Sequence, residues 1–114
     1  MADCLFCRIV AGETPATLVY QNDHVVAFKD ITPRAPTHVL VVPRRHIATL
    51  NDLAPEDDAL VGEMVRAAAG IAKQAGHAER GYRTVFNCNA DAGQTVFHLH
   101  LHLLGGRKME WPPG

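Results

Sequence analysis

The sequence predicts an α+β fold, an antiparallel sheet of about five short strands with one main helix and a short N-terminal helix. Three observations carry this. Apolar residues recur at helical spacing over a long stretch once, from Leu60 to Ala75. Five short runs rich in β-branched and aromatic residues are separated by turn-forming residues. The run from His98 to Leu104 begins by alternating histidine and leucine, the period of a strand with one face in the core.

The elements follow in chain order. Leu5 to Ala11 fit a short helix stopped by Gly12. Thr17–Gln21 and Val25–Asp30 are β-rich runs on either side of Asn22-Asp23, a turn pair, and read as a hairpin. Pro33 and Pro36 mark a loop, and His38–Val42 reads as a buried strand closed by Pro43. Arg45 to Leu50 fit one helical turn. Pro55 suits a first helical position, and Glu56, Asp57 and Asp58 suit the positive end of a helix dipole. Leu60, Val61, Met64, Val65, Ala68, Ile71, Ala72 and Ala75 then form one apolar stripe ended by Gly76, with Met64 as core filling. Tyr82–Cys88 is a strand, Asn89–Gly93 a loop, and Thr95–Leu104 the last strand, ended by Gly105-Gly106. The tail, 107–114, carries the single tryptophan, Trp111, beside two prolines; docking it on a partner subunit costs less than leaving it in water.

Length and charge narrow the function. A chain of 114 residues fits one domain, 1–114, with little core to spare. A formal net charge of -1 gives no basic field for a nucleic-acid polymer or an anionic membrane, yet leaves room for a local mononucleotide site. No apolar run is long enough to span a bilayer and no signal-peptide pattern opens the chain, so a cytoplasmic protein is expected. Three cysteines, two of them a tight Cys4-x-x-Cys7 pair, do not suit a secreted disulfide framework.

Alternation puts His98, His100 and His102 on one strand face, neighbours roughly 6.6 Å apart, with Leu99, Leu101 and Leu103 opposite. Three imidazoles in register are costly to bury without partners. Two chemistries use them: a metal ion held by His-x-His, or phosphoryl and nucleotidyl transfer, in which a neutral imidazole attacks phosphorus while a neighbour donates a proton. Gly93-Gln94-Thr95, just before the run, offers N–H groups and a hydroxyl to an anion, and Asn87 offers an amide, which favours phosphate.

His98-Leu99-His100-Leu101-His102-Leu103-Leu104 resembles the histidine-triad motif of the HIT superfamily. The segments Phe28-Lys29-Asp30-Ile31, Pro36-Thr37-His38, Pro43-Arg44-Arg45-His46 and Gly93-Gln94-Thr95, with the tail Leu104–Gly114, are similar to those of its Hint branch. That resemblance covers nearly the whole chain. It implies a HIT-like, homodimeric fold that binds purine mononucleotides and hydrolyses nucleoside phosphoramidates through a nucleotidyl-histidine. On the matching positions His100 is the nucleophile, His102 contacts the phosphate and His38 completes a proton relay. Asn87, Gly93, Gln94 and Thr95 hold the phosphate and leaving-group side, Asp30 binds the ribose, and Phe6, Ile9, Phe28 and Ile31 wall the base. Thr95 stands where many eukaryotic members have serine. Without the resemblance, Asp30 reads as a turn carboxylate, Asn87 as a strand-end amide and His38 as a satisfied core histidine.

The Cys4-x-x-Cys7 pair has metal-ligand spacing and needs two further ligands for a closed tetrahedral site. Bacterial HIT proteins that it resembles supply these from the positions of His46 and His98, which implies a structural zinc and leaves His100 and His102 for chemistry. A redox dithiol and two ordinary cysteines remain alternatives. His24 and His77 read as turn and loop residues, and Cys88 as a buried strand residue. Two other functions stay open: a nucleotide-binding or scaffold module without turnover, and a hydrolase whose metal the triad itself holds.

Overall fold

The protein is described by a computed structural model covering residues 3–114. Helix α1 (Leu5–Val10) precedes strands β1 (Leu18–Gln21), β2 (Val25–Lys29) and β3 (Thr37–Pro43). The long helix α2 (Asp58–Gln74) follows, then β4 (Tyr82–Phe86) and β5 (Leu101–Gly105). The strands form one antiparallel sheet in the order β1-β2-β3-β5-β4, so the last strand is inserted between β3 and β4. The α+β fold read from the sequence, with five strands, a main helix and a short N-terminal helix, is the fold found.

Both faces of the sheet are covered. Val25 and Ala27 of β2, Val39 and Val41 of β3, and Leu101 and Leu103 of β5 pack against Met64, Ala68 and Ala72 of α2. Val26, Phe28, Leu40 and Val42, the alternate residues, pack under Phe6 of α1. Burial on both faces is why β2 and β3 read as continuous apolar runs rather than alternating ones. The β1–β2 turn is held by Asn22, whose side-chain oxygen accepts the N–H groups of His24 and Val25, both at 2.8 Å.

Several boundaries differ from the sequence expectation. Arg45–Leu50 is not a helical turn; a 3₁₀ turn forms later, at Leu50–Asp52, where the Thr49 hydroxyl accepts the Asn51 N–H. Strand β4 ends at Phe86, not Cys88. The last strand begins at Leu101, not Thr95, so His98 and His100 precede the ladder and only His102 of the three lies within it. Pro43 ends β3 and has no N–H to extend pairing. The chain beside it finds other partners: the Leu99 N–H donates to the Ile47 carbonyl at 2.6 Å, and the His98 ring takes the Pro43 carbonyl. Side-chain alternation survives the loss of pairing, because Leu99 still packs with Leu101 and Leu103 against α2.

Met64 is fully buried between α2 and the sheet, whereas Val65 beside it is half exposed. Met64→Ala is therefore expected to cost about 2–5 kcal/mol and Val65→Ala less than about 0.5 kcal/mol, read by urea unfolding.

Candidate active site and metal centre

Insertion of β5 between β3 and β4 places His102 opposite Leu40 and His38 opposite Leu104. Residues paired across strands share a face, so His38 and His102 are diagonal neighbours on the α1 side of the sheet. Their rings meet, with His38 Nε2 3.0 Å from His102 Nδ1. Asp30, just past β2, brings Oδ2 to 3.4 Å from the same His38 nitrogen. His100 stands beside His102, ring centroids 4.9 Å apart, with the edge of Phe6 against it at 5.1 Å.

Backbone groups fix which nitrogen of each ring carries the proton. The Arg34 N–H donates to His38 Nδ1 at 3.0 Å, so the neutral ring is protonated at Nε2 and donates to His102 Nδ1. The His102 proton then sits on Nε2. The His98 carbonyl, 2.7 Å from His100 Nδ1, accepts the proton there and leaves the lone pair of His100 on Nε2. His98 in turn donates from Nε2 to the Pro43 carbonyl at 2.8 Å and turns its bare Nδ1 toward the cysteines.

Burial disfavours the charged forms of three of these rings. It lowers His38, His98 and His102, and His102 is pushed down to about 4, with the neighbouring His100 and His38 adding to the effect and Asp30 opposing it.

Asp30, His100 and His102 border a cavity of about 330 Å³, and His38 lies outside its lining. Phe6, Ile9, Phe28 and Ile31 line its apolar part, while Asp30, Thr95, His100 and His102 line the polar part. The structure thus brings together eight of the residues singled out from the sequence. Asn87 and Gly93 lie outside this lining. Gln94 is buried as a loop brace: its amide donates to the Ala48 and Val96 carbonyls and its oxygen accepts the Asn89 N–H. The Gly93 and Gln94 N–H groups close a local turn onto the Ala90 and Asn89 carbonyls. Both of these donors are already spent within the loop. Sequence reasoning missed the parts played by Arg34, Pro43 and the His98 carbonyl, because backbone donors and acceptors carry no residue signature.

On the far side of His98 the two cysteines complete a second cluster. Cys4 caps α1 by accepting the Cys7 N–H. The sulfurs of Cys4 and Cys7 lie 3.4 and 3.5 Å from His98 Nδ1, and His46 Nδ1 lies 3.3 Å from Cys7 Sγ. A tetrahedral ion with typical metal–sulfur and metal–nitrogen bonds sets such edges at about 3.6 Å. The donor set and spacing fit a metal ion, and the hydrogen bond to Pro43 fixes the ligating nitrogen of His98. Without a cation, burial raises the Cys7 thiol, and its hydrogen bond and charge interaction with Cys4 add to this. Asp30, His38 and His102 also converge. Ligation there through His38 Nε2 would require a proton on Nδ1, against the Arg34 N–H. Those three groups do not suit a cation.

Residues 11–109 match the HIT domain. The chain belongs to the HIT domain family. It is 48% identical over 107 residues to the purine nucleoside phosphoramidase of Escherichia coli strain K12, covering 94% of this chain and 90% of that protein. A HIT family hydrolase from Legionella pneumophila Philadelphia 1 superposes with a TM-score of 0.97 at 52% identity, covering 98% of this chain and 100% of that one. A Zn-bound histidine triad family protein from Mycobacterium smegmatis superposes with a TM-score of 0.80 at 35% identity, over 93% of this chain and 76% of that one. Among the described residues no helix is long and apolar enough to cross a membrane.

The lowered histidines make stability pH-dependent. The unfolded chain takes up protons near pH 6.5, whereas folded His102 does so only near 4. Stability is expected to fall as pH drops through that window and this contribution to level off below it. His102→Gln should flatten the slope of Tm against pH between about 4 and about 6.5, measured by calorimetry.

Proposed function

We propose that this HIT domain hydrolyses purine nucleoside phosphoramidates, cleaving the P–N bond through a nucleotidyl intermediate on His100. The observation that carries the reading is the fixed pair of imidazoles. His100 holds its lone pair on Nε2, and His102 holds a proton on Nε2, in one cavity with Asp30. The phosphoramidase of E. coli, at 48% identity, supports the substrate class.

In this reading Phe6, Ile9, Phe28 and Ile31 hold the base and Asp30 accepts the ribose hydroxyls. His100 Nε2 attacks the α-phosphorus while the His102 Nε2–H stabilises a phosphoryl oxygen. His38 serves the reaction through His102, by donating to its Nδ1. The P–N bond breaks, and the departing amine takes a proton from the solvent side of the cavity, where exposed Thr95 stands. Water then attacks phosphorus, the bond to His100 breaks, and the monophosphate and a proton leave. Asn87, Gly93 and Gln94 act from outside the lining: Gly93 and Gln94 brace the loop that presents Thr95, and Asn87 serves the phosphate side through its amide.

A structural zinc ion held by Cys4, Cys7, His46 and His98 fits the donor set, and the Zn-bound relative from M. smegmatis supports it. When bound, it would tie α1 to the sheet. The chain would act as a homodimer in the cytoplasm. Trp111 is 81% exposed in the single chain, with the Arg83 guanidinium 6.0 Å from its ring centroid, and β4 leaves a sheet edge unpaired beside it. A partner subunit covers both in this reading. The three cysteines are free thiols, as a reducing compartment allows.

His100→Ala is expected to lower hydrolysis of a fluorogenic adenosine phosphoramidate by at least about 10³-fold, and mass spectrometry of quenched wild-type protein to place a nucleotidyl group on His100. Unchanged turnover in the variant would sink the proposal. Cys4→Ser is expected to abolish stoichiometric zinc, read by elemental analysis, and to lower Tm while retaining part of the activity. An activity that disappears and returns with the ion would instead favour a metal-dependent hydrolase.

A further inference from the structure

We propose that Arg107, in the C-terminal tail, is a positioning residue that fixes the proton arrangement of the His38–His102 pair. The inference rests on the reaction proposed above for its kinetic consequence, though not for its geometry. The tail turns back at Gly106, which has φ +94° and passes so close to Pro36 that a Cβ would lie 2.9 Å from the proline Cβ. Only glycine meets both conditions without strain. The turn delivers Arg107 to the loop after β2, where its Nε–H donates to the Arg34 carbonyl at 2.9 Å and its Nη1 to the Lys108 carbonyl at 3.2 Å.

Arg34 is the residue whose N–H selects the His38 tautomer. Its N–H and its carbonyl belong to the two peptide groups flanking one Cα, so anchoring one restricts the other. Elsewhere the loop is held by Asp30 Oδ1, which accepts the Thr32 N–H at 2.8 Å, and by buried Ala35. Ile31, Thr32, Pro33 and Arg34 are exposed, and Pro33 and Pro36 have no N–H to give. A continuous line of hydrogen bonds therefore runs from Arg107 through Arg34 and His38 to His102, with steps of 2.9, 3.0 and 3.0 Å. Asp30, 3.4 Å from His38 Nε2, is the charged group on the other side of the ring, with the Arg34 charge opposing it and His102 in front.

Loss of the clamp frees the Arg34 peptide. His38 Nδ1 can then take a proton, and a His38 that no longer donates from Nε2 lets His102 reverse its own tautomer. A reversed His102 presents a lone pair to a phosphoryl oxygen.

The test compares wild type, Arg107→Gln and Arg107→Lys by ¹⁵N spectra of the imidazoles and by pH profiles of phosphoramidate hydrolysis. Wild type should show His38 protonated at Nε2 alone. Arg107→Gln should average the two ring nitrogens, lower kcat by roughly fivefold to tenfold, the worth of about one hydrogen bond, change KM less than about twofold, and move the acid limb of kcat to higher pH. Arg107→Lys, which keeps a donor for the Arg34 carbonyl, should recover much of each effect. A His38 spectrum unchanged in Arg107→Gln overturns the proposal, and so does a changed spectrum with unchanged kcat. Should the chain prove not to hydrolyse phosphoramidates, the spectra still decide whether Arg107 sets the ring.

Discussion

Much of this structure depends on how one residue, His98, is held. It is fully buried, and both its ring nitrogens and its carbonyl are committed. Its Nε2–H meets the Pro43 carbonyl, its Nδ1 faces the two cysteine sulfurs, and its carbonyl holds the His100 ring. The first contact ends β3 without leaving a buried acceptor unpaired, which would cost about 1–3 kcal/mol. The second ties α1 to the sheet. The third selects the nitrogen of His100 that remains basic. A leucine at this position would suit the core volume and forfeit the first two, and the backbone carbonyl that makes the third would lose the ring contacts that anchor it.

The same economy appears across the histidine cluster, where the tautomers are set by peptide groups. The Arg34 N–H and the His98 carbonyl act oppositely on His38 and His100, one removing the proton from Nδ1 and the other placing it there. The two rings thereby keep different nitrogens bare although they are the same side chain. Burial reinforces the division by disfavouring the charged forms of His38 and His102. A cluster left in water would exchange among many protonation states, with only a fraction of molecules able to pair a basic nitrogen with a neighbouring donor.

The sequence was legible where side-chain pattern decides. The stripe from Leu60 to Ala75 became α2, and the histidine–leucine alternation correctly separated the face turned to α2 from the face turned to α1. The Cys4-x-x-Cys7 pair met His46 and His98 because a spacing of three across the first turn of α1 brings two sulfurs to one side. Legibility ended where backbone groups decide. Thr95–His100 has the composition of a strand yet has no ladder partner, since Pro43 interrupts the neighbouring strand and Ile47 claims the Leu99 N–H. Gly93 and Gln94 look like an anion loop by composition, but their N–H groups are used to form the loop itself.

The position of His98 also explains why a small domain places its histidine cluster and its Cys–His cluster on neighbouring residues. A chain of 114 residues buries a limited core, and the sheet face under α1 is thin: Phe6 is the single buried residue of that helix. Rigid placement of His100 requires that its carbonyl partner not move, and apolar burial alone leaves the short α1 weakly anchored. A cation bridging Cys4, Cys7, His46 and His98 would add a cross-link between the N-terminal helix, the segment after β3 and the segment before β5, three parts of the chain distant in sequence. The rigidity gained there passes through one peptide group to the His100 ring. Changes at Cys4 and changes at His98 should therefore differ in kind: the first loosens the support, and the second removes the support and the ring's carbonyl alignment together.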